Sequence, residues 1–216
     1  MKAMLYADWA VLKQTMRQML IVFIVLTLAA VTMESISFIY MLTIMLMIMV
    51  PMTLFAPDPT VGWERYSLSM PVCRKDIVWS KFAMSALFAG VLTVLAVLVT
   101  IAFAVFGLDK DFVFNIAGLL FCQGIGLLLS GVVMCMTVRW GTEKARYLFM
   151  AVVWTPILIG FVISKMDLPE IALVETIQQA SDIQILGASV IALVVGVLLD
   201  LMFGAITVRI YKKKEF

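Results

Sequence analysis

Histidine is absent from all 216 residues. That absence removes Ser-His-Asp and Cys-His mechanisms, histidine-ligated zinc and imidazole acid–base work from this chain. Charge is scarce: Asp, Glu, Lys and Arg make up 14 % of the residues, against a norm of roughly 25 %. Cysteine is rare and odd in number. Cys73, Cys122 and Cys135 lie in or beside apolar segments and form neither a CxxC pair nor a metal pattern, which argues against a secreted disulfide framework. No G-x-x-x-x-G-K-[ST] run occurs, so the chain lacks a recognisable nucleotide phosphate cradle. What is abundant is apolar surface. Hydrophobic residues account for 64 % of the sequence and the mean hydropathy is +1.10. A water-soluble fold of this size has too little interior to hide so much, so lipid must cover part of it.

Six apolar blocks stand out, at residues 18–33, 38–55, 82–106, 112–138, 147–163 and 183–208. A helix crosses the hydrocarbon with about 20 residues, and roughly 17 to 25 are tolerated. The first and fifth blocks are short and borrow a flanking turn or sit where the bilayer thins. The gap at 34–37 predicts a tight hairpin between the first two crossings. The expected fold class is an all-α membrane protein, one domain over residues 1–216 with six transmembrane helices.

Charge placement gives the orientation. The N-terminus, the 56–81 loop, the 139–146 loop and the tail from Arg209 collect Lys2, Lys13, Arg17, Arg65, Arg74, Lys75, Lys81, Arg139, Lys144, Arg146, Arg209, Lys212, Lys213 and Lys214, leaving only Lys110 and Lys165 on the other side. The positive-inside rule places the larger set, and both termini, in the cytoplasm. An even number of crossings agrees with termini on one side. The Lys212–Lys214 tail reads as a stop signal beside anionic lipid rather than a nucleic-acid contact, and no nucleic-acid partner is expected. The first crossing does not read as a signal peptide, because its basic lead is long and no A-x-A site follows.

Three segments outside the blocks carry helical signatures. In residues 1–17, Leu5, Trp9, Leu12 and Met16 recur at spacings of four, three and four beside Lys2, Lys13 and Arg17. This pattern predicts an amphipathic helix lying in the cytoplasmic interface, the plainer reading being the wet end of the first crossing. In the 56–81 loop, Asp58-Pro59 reads as an N-cap followed by proline at the first helical position, predicting a short helix over 59–68. Pro71 then opens a second helix that runs through Cys73, Arg74, Lys75 and Asp76 into the third crossing. Such a loop either passes force to a soluble partner or is an inert connection rich in positive charge. On the other side, Asp167 and Glu170 form a capping-box pattern, and Leu168, Ile171, Val174 and Ile177 give the 164–182 segment a short outer helix.

Inside the bilayer, Ala188, Ala192, Gly196, Asp200 and Gly204 recur every four residues, and Gly118, Cys122, Gly126 and Ser130 form a comparable set in the fourth block. Small residues at that spacing let helices approach closely, within the bundle or against a second copy. Gly118, Gly126, Ala192, Gly196 and Gly204 are the candidate packing positions. Asp200 is the acid set well inside a crossing. It must face protein or a watery path, as a hydrogen-bonding group or as part of a pathway, and Gln123 is a candidate partner. The seventeen methionines are densest over 41–52 but lack the soft-ligand partners of a copper cluster, so they are read as adaptable packing and no metal site is expected.

The loop sequence Trp63-Glu64-Arg65-Tyr66-Ser67-Leu68-Ser69-Met70-Pro71-Val72-Cys73-Arg74-Lys75-Asp76-Ile77-Val78-Trp79-Ser80-Lys81-Phe82 resembles a run in many small bacterial permeases of ABC-2 type ABC transporters. There an acidic residue precedes a Leu-Pro-Val-x-Arg-Lys-x-Ile-Val-x-Ser-Lys-Tyr type segment. Pro71, Arg74, Lys75, Ile77, Val78, Ser80 and Lys81 match, while Met70 and Phe82 depart from the pattern. The six-crossing plan extends the resemblance over the whole chain. The similar subgroup includes exporters of amphipathic peptides such as phenol-soluble modulins.

The resemblance implies an ABC-2 exporter fold in the bacterial cytoplasmic membrane and a non-catalytic transport subunit. It implies that the 59–68 helix is a coupling helix, with Glu64, Arg65 and Tyr66 near the ATPase groove and Pro71, Arg74 and Lys75 setting the loop. It also implies the partners: a cytoplasmic ABC ATPase dimer, which holds the ATP and Mg, and a second permease copy or paralogue. No cofactor is expected on this chain. The implied activity is ATP-driven export of an amphipathic peptide, lipid-like or drug-like substrate. Three other readings remain open: an ATPase-linked sensor or immunity subunit without net export, the substrate-binding module of an importer, and a membrane enzyme built around Asp200 and Gln123.

Overall fold

The computed structural model describes residues 2–32, 36–55, 73–107, 111–147, 150 and 182–213. Five long helices organise them: α1 (Lys2–Thr32), α2 (Ser37–Phe55), α3 (Arg74–Val105), α4 (Phe112–Trp140) and α5 (Asp182–Lys213). Each contains a stretch long and apolar enough to cross a membrane, and the chain is a multi-pass membrane protein. Of the six expected crossings, the one at 147–163 lies outside the described residues apart from Tyr147 and Met150, as do the 59–68 helix and the outer segment up to residue 181. In α1 the amphipathic residues 2–17 and the apolar stretch share one unbroken helix. Arg74, Lys75 and Asp76 form the first turn of α3 and continue without a break into the third crossing.

Helix directions follow from which residues meet. Gly118 and Gly126 of α4 face Tyr40 and Met47 of α2, and Gly124 and Gly131 face Ala192 and Asp200 of α5. Position numbers rise together in both pairs, so α2, α4 and α5 run parallel. The Ser80–Asp8 bond joins the starts of α3 and α1, which run the other way. The bundle therefore has one end holding the beginnings of α1 and α3 and the finishes of α2, α4 and α5. The segment between α4 and α5 starts at that end and finishes at the opposite one.

The most extensive packing is between α4 and α5. A Cβ on Gly196 would sit 2.5 Å from the Gly124 carbonyl oxygen and 2.8 Å from its Cα, and a Cβ on Gly124 would meet the Ala192 carbonyl at 2.7 Å. The two backbones thus touch, the arrangement that small residues permit in lipid. Gly204 receives the Trp79 ring and Phe82 of α3. A large apolar core runs from Leu12, Met19 and Phe23 through Leu46, Val50, Phe88 and Leu92 to Met134 and Val208. A smaller cluster of Ala30, Ile36, Ile39, Phe103 and Leu119 closes the other end. Outward faces such as Ile21, Ile24 and Leu28 of α1 and Ile191, Val194 and Leu198 of α5 are exposed and apolar, which suits lipid rather than water.

Hydroxyls in the bundle find acceptors on their own helices, as Thr100 does on the Ala96 carbonyl and Thr207 on that of Phe203. In a medium without water such back-bonding removes a large penalty. Bonds between helices are fewer. The Tyr40 hydroxyl lies 2.8 Å from the Asn115 carbonyl and 2.9 Å from its side-chain oxygen, and Ser85 and Ser130 share a 3.1 Å bond between α3 and α4.

The backbone contact makes a direct prediction. Gly196→Ala should lower stability by about 1–3 kcal/mol, because the added methyl meets main-chain atoms that cannot rotate away. Gly187→Ala, where nothing lies within 4 Å of the new methyl, should be neutral or mildly stabilising. Denaturation midpoints in detergent would compare them, and equal effects would remove the Gly124–Gly196 contact as the tightest point.

Candidate functional site

Residues 56–72 connect the end of α2 to the start of α3. Around these two roots the structure builds a buried polar node. Lys81, in the second turn of α3, is only 2 % exposed. Its ammonium donates to the Leu54 carbonyl in the last turn of α2 at 2.7 Å and lies over the Phe55 ring, 4.5 Å from its centroid. A cation at a helix C-terminus satisfies an orphan carbonyl and meets the negative end of the helix dipole. One root of the loop is thereby fastened to the other.

A third helix joins the node. Asp8 of α1 is 8 % exposed. Its Oδ2 accepts a 2.7 Å bond from the Ser80 hydroxyl, and its Oδ1 lies 3.9 Å from the Lys81 ammonium. The Ser80 hydroxyl also lies 2.9 Å from the Ile77 carbonyl of its own helix. Helical spacing puts Asp8 on the face of α1 that carries buried Leu12, Met19 and Phe23, whereas Trp9 is exposed. Asp8 lies before the apolar stretch of α1, which begins at Thr15, and Lys81 lies near the start of the α3 span. They neutralise one another across 3.9 Å, and each is hydrogen-bonded, Asp8 to Ser80 and Lys81 to the Leu54 carbonyl, the condition under which buried charge is tolerated.

The sequence-derived candidates fall into three groups. Glu64, Arg65, Tyr66 and Pro71 lie outside the described residues, as does the side chain of Arg74, while Lys75 is exposed in the first turn of α3. Gly118 and Gly126 face α2, Ala192 and Gly196 meet Gly124 of α4, and Gly204 faces α3. All of these contacts lie within one chain. Asp200 is buried on the packed face of α5, its Oδ1 2.7 Å from where a Cβ on Gly131 would stand.

The structure does not join Asp200 to Gln123. Gln123 is eight residues before Gly131, about 12 Å along α4. Its periodicity also aligns it with Ser130, which bonds to α3, while Gly124 and Gly131 form the face that meets α5. Gln123 is fully buried, and among the described residues neither Nε2 nor Oε1 has a hydrogen-bond partner.

Sequence reasoning did not single out Asp8, and it gave Ser80 and Lys81 no role beyond matching a motif. The available signal was the position of Asp8 four residues before Leu12, an acid on an apolar helical stripe. The Lys81–Leu54 bond had none, because it depends on how two helices come together. Chemically the node positions helices. Among the described residues no group of three or more His, Cys, Asp or Glu side chains could hold a metal ion.

Compared with known families, the chain matches one described as "ABC-2 family transporter protein" over residues 3–212. No curated protein and no solved structure matches it.

The isolated amide of Gln123 is open to test. Gln123→Leu should raise the stability of the detergent-solubilised protein by about 1–3 kcal/mol, since an unpaired buried polar group is replaced by an apolar one of similar size. A loss of that size instead would mean that the amide is satisfied in the assembled protein.

Proposed function

The chain belongs to the ABC-2 family of transporter permeases, and from that membership we propose that it couples ATP binding in a separate cytoplasmic ATPase to export of an amphipathic peptide, lipid-like or drug-like substrate. Members of this family are non-catalytic transport subunits that work with a cytoplasmic ATPase, and this chain is such a membrane subunit. In the proposed assembly, two permease subunits, identical or closely related, flank the translocation path. An ATPase dimer carries the ATP and Mg. The 59–68 helix is the coupling element, with Glu64, Arg65 and Tyr66 toward the ATPase, and Pro71, Arg74 and Lys75 setting the loop on its mount.

The observation that carries this reading is the 2.7 Å bond from Lys81 to the Leu54 carbonyl. A loop that transmits force needs roots that do not slide apart, and a buried cation joins these two. A passive connection has no such requirement. Charge supports the orientation: the end of the bundle holding the node also holds Lys75 of α3, Arg139 of α4 and Arg209, Lys212 and Lys213 of α5. That is the cytoplasmic end under the positive-inside rule. The parallel course of α4 and α5 supports a sixth crossing at 147–163, since the chain between them must return across the bundle. Both termini are then cytoplasmic, in a bacterial cytoplasmic membrane.

ATP would drive the permease through the difference in affinity of the loaded ATPase for its two states. Asp200, seated against Gly131, serves the contact of α4 with α5 in this scheme. The test is copurification of the tagged permease with an ATP-binding protein encoded beside it. Wild type should form a complex stable in mild detergent. Glu64→Ala combined with Arg65→Ala should weaken it by about tenfold, roughly 1.4 kcal/mol, while the permease stays monodisperse. No association of the wild type with any ATP-binding subunit would end the transporter reading.

A further inference from the structure

The three-helix node holds more than the coupling loop requires. Fastening its two roots needs only Lys81 and the Leu54 carbonyl, yet a carboxylate arrives from a third helix, 72 residues away in sequence from its hydroxyl partner. We propose that Asp8 is a positioning residue for energy coupling: it makes the setting of the loop's roots depend on where the N-terminal half of α1 sits. This inference rests on the reading of the 56–72 segment as the ATPase contact.

Three observations carry it. First, apolar packing surrounds the node already. Leu12, Leu54, Phe55, Ile77 and Val78 are all buried there. A plain staple between the helices would be served as well by another apolar side chain, because a buried ion pair seldom adds net stability over good packing. What the pair adds is direction. Apolar surfaces tolerate sliding, whereas a hydroxyl–carboxylate bond of 2.7 Å weakens as soon as the helices shift along each other.

Second, Ser80 has two acceptors within reach and one proton to give. It can donate to Asp8 at 2.7 Å or to the Ile77 carbonyl at 2.9 Å. If α1 withdraws, the hydroxyl falls back on its own helix, and Lys81 keeps the Leu54 carbonyl. Release of α1 therefore leaves the loop's fastening satisfied. Ser80 and Lys81 thus each keep an acceptor with or without α1, which is what a switching element needs of its fixed side.

Third, the outer side of this part of α1 exposes Tyr6, Trp9, Lys13 and Arg17. Aromatic and basic side chains of that kind favour the membrane–water boundary. The carboxylate is thus carried on the end of α1 whose other face suits the membrane–water boundary, and its position reaches the node through the Ser80 bond and the Lys81 charge.

The natural reporter is Cys73, an exposed thiol at the first described residue of the returning root. In full-length permease with Cys122→Ala and Cys135→Ala, copurified with its ATPase, the rate of maleimide labelling at Cys73 is measured with and without a non-hydrolysable ATP analogue and Mg. The wild-type pair should show a nucleotide-dependent change of about fivefold or more, the scale of a typical coupling between sites. Asp8→Asn should still copurify with the ATPase but lose most of that change, and Asp8→Glu should keep most of it.

An undiminished response in Asp8→Asn overturns the inference, as does Asp8→Glu behaving no better than Asp8→Asn. A wild-type complex that forms but shows no nucleotide response also overturns it. If Asp8→Asn fails to give a monodisperse complex, Ser80→Ala decides: it leaves both charges in place, a reduced response supports the role, and an unchanged one overturns it. Failure of wild type to bind any ATPase strikes the permease reading itself and is distinguishable from all of these.

Discussion

Gly124 and Gly196 bring the backbones of α4 and α5 into contact, and Gly131 leaves a seat beside them for Asp200. In lipid there is no hydrophobic effect to drive helices together, so close backbone approach and a few directional bonds must choose the partner and the register. Here the contact sets α5 parallel to α4. That direction in turn brings Gly204 against Trp79 and Phe82, which fixes the first turns of α3 against the end of α5. The two ends between which residues 56–72 run are therefore placed by a contact made midway along α4 and α5.

α3 is the helix through which the polar bonds are distributed. Its Ser85 reaches α4, its Lys81 reaches α2, and its Ser80 reaches α1. At the opposite end Tyr40 of α2 bonds to Asn115 in the first turn of α4. These few bonds lie at the two ends and along one seam. Elsewhere hydroxyls satisfy themselves on their own helices and leave the interfaces to Leu, Ile, Val, Phe and Met. The polar contacts thus name partners, and the apolar ones fill space around them.

Much of this was legible in the sequence, because the membrane imposes simple rules. The five described spans coincide with apolar blocks that composition alone separates, and the run from Arg74 into the third crossing is one helix, although it starts later than expected: Cys73, expected inside a helix opened by Pro71, has extended backbone and stands at the N-cap. Pairings were less legible. Two stripes of small residues, at Gly118 with Gly126 and at Ala192 with Gly196, invite the idea that they meet, yet the first faces α2 and the second faces Gly124. Periodicity identifies a face but not its neighbour. Asp200 and Gln123 do not meet for a related reason: both are buried, but Asp200 faces Gly131 of α4, about 12 Å along that helix from Gln123, whose own face turns toward α3 with Ser130. The node was hidden most deeply, since one of its acceptors, the Leu54 carbonyl, is a main-chain group that every residue possesses.

The manner in which each outer helix is held bears on which part of the bundle can move. α1 and α5 bury the least of their spans, so burial does not distinguish them. α5 is held by main-chain contact at Gly124 and Gly196, and any shift along α4 would drive backbone into backbone. α1 packs on α3 through side chains, and in its N-terminal half these include the Asp8–Ser80 bond with the Lys81 charge beside it. Side-chain contacts can exchange one partner for another, as the second acceptor of Ser80 allows, whereas the glycine contact has no alternative arrangement of similar energy. Displacement at the loop's roots is therefore absorbed more readily between α1 and α3 than between α4 and α5. The same asymmetry explains why a buried charge pair is suited to the first interface and small residues to the second: one has to hold and release, and the other has only to hold.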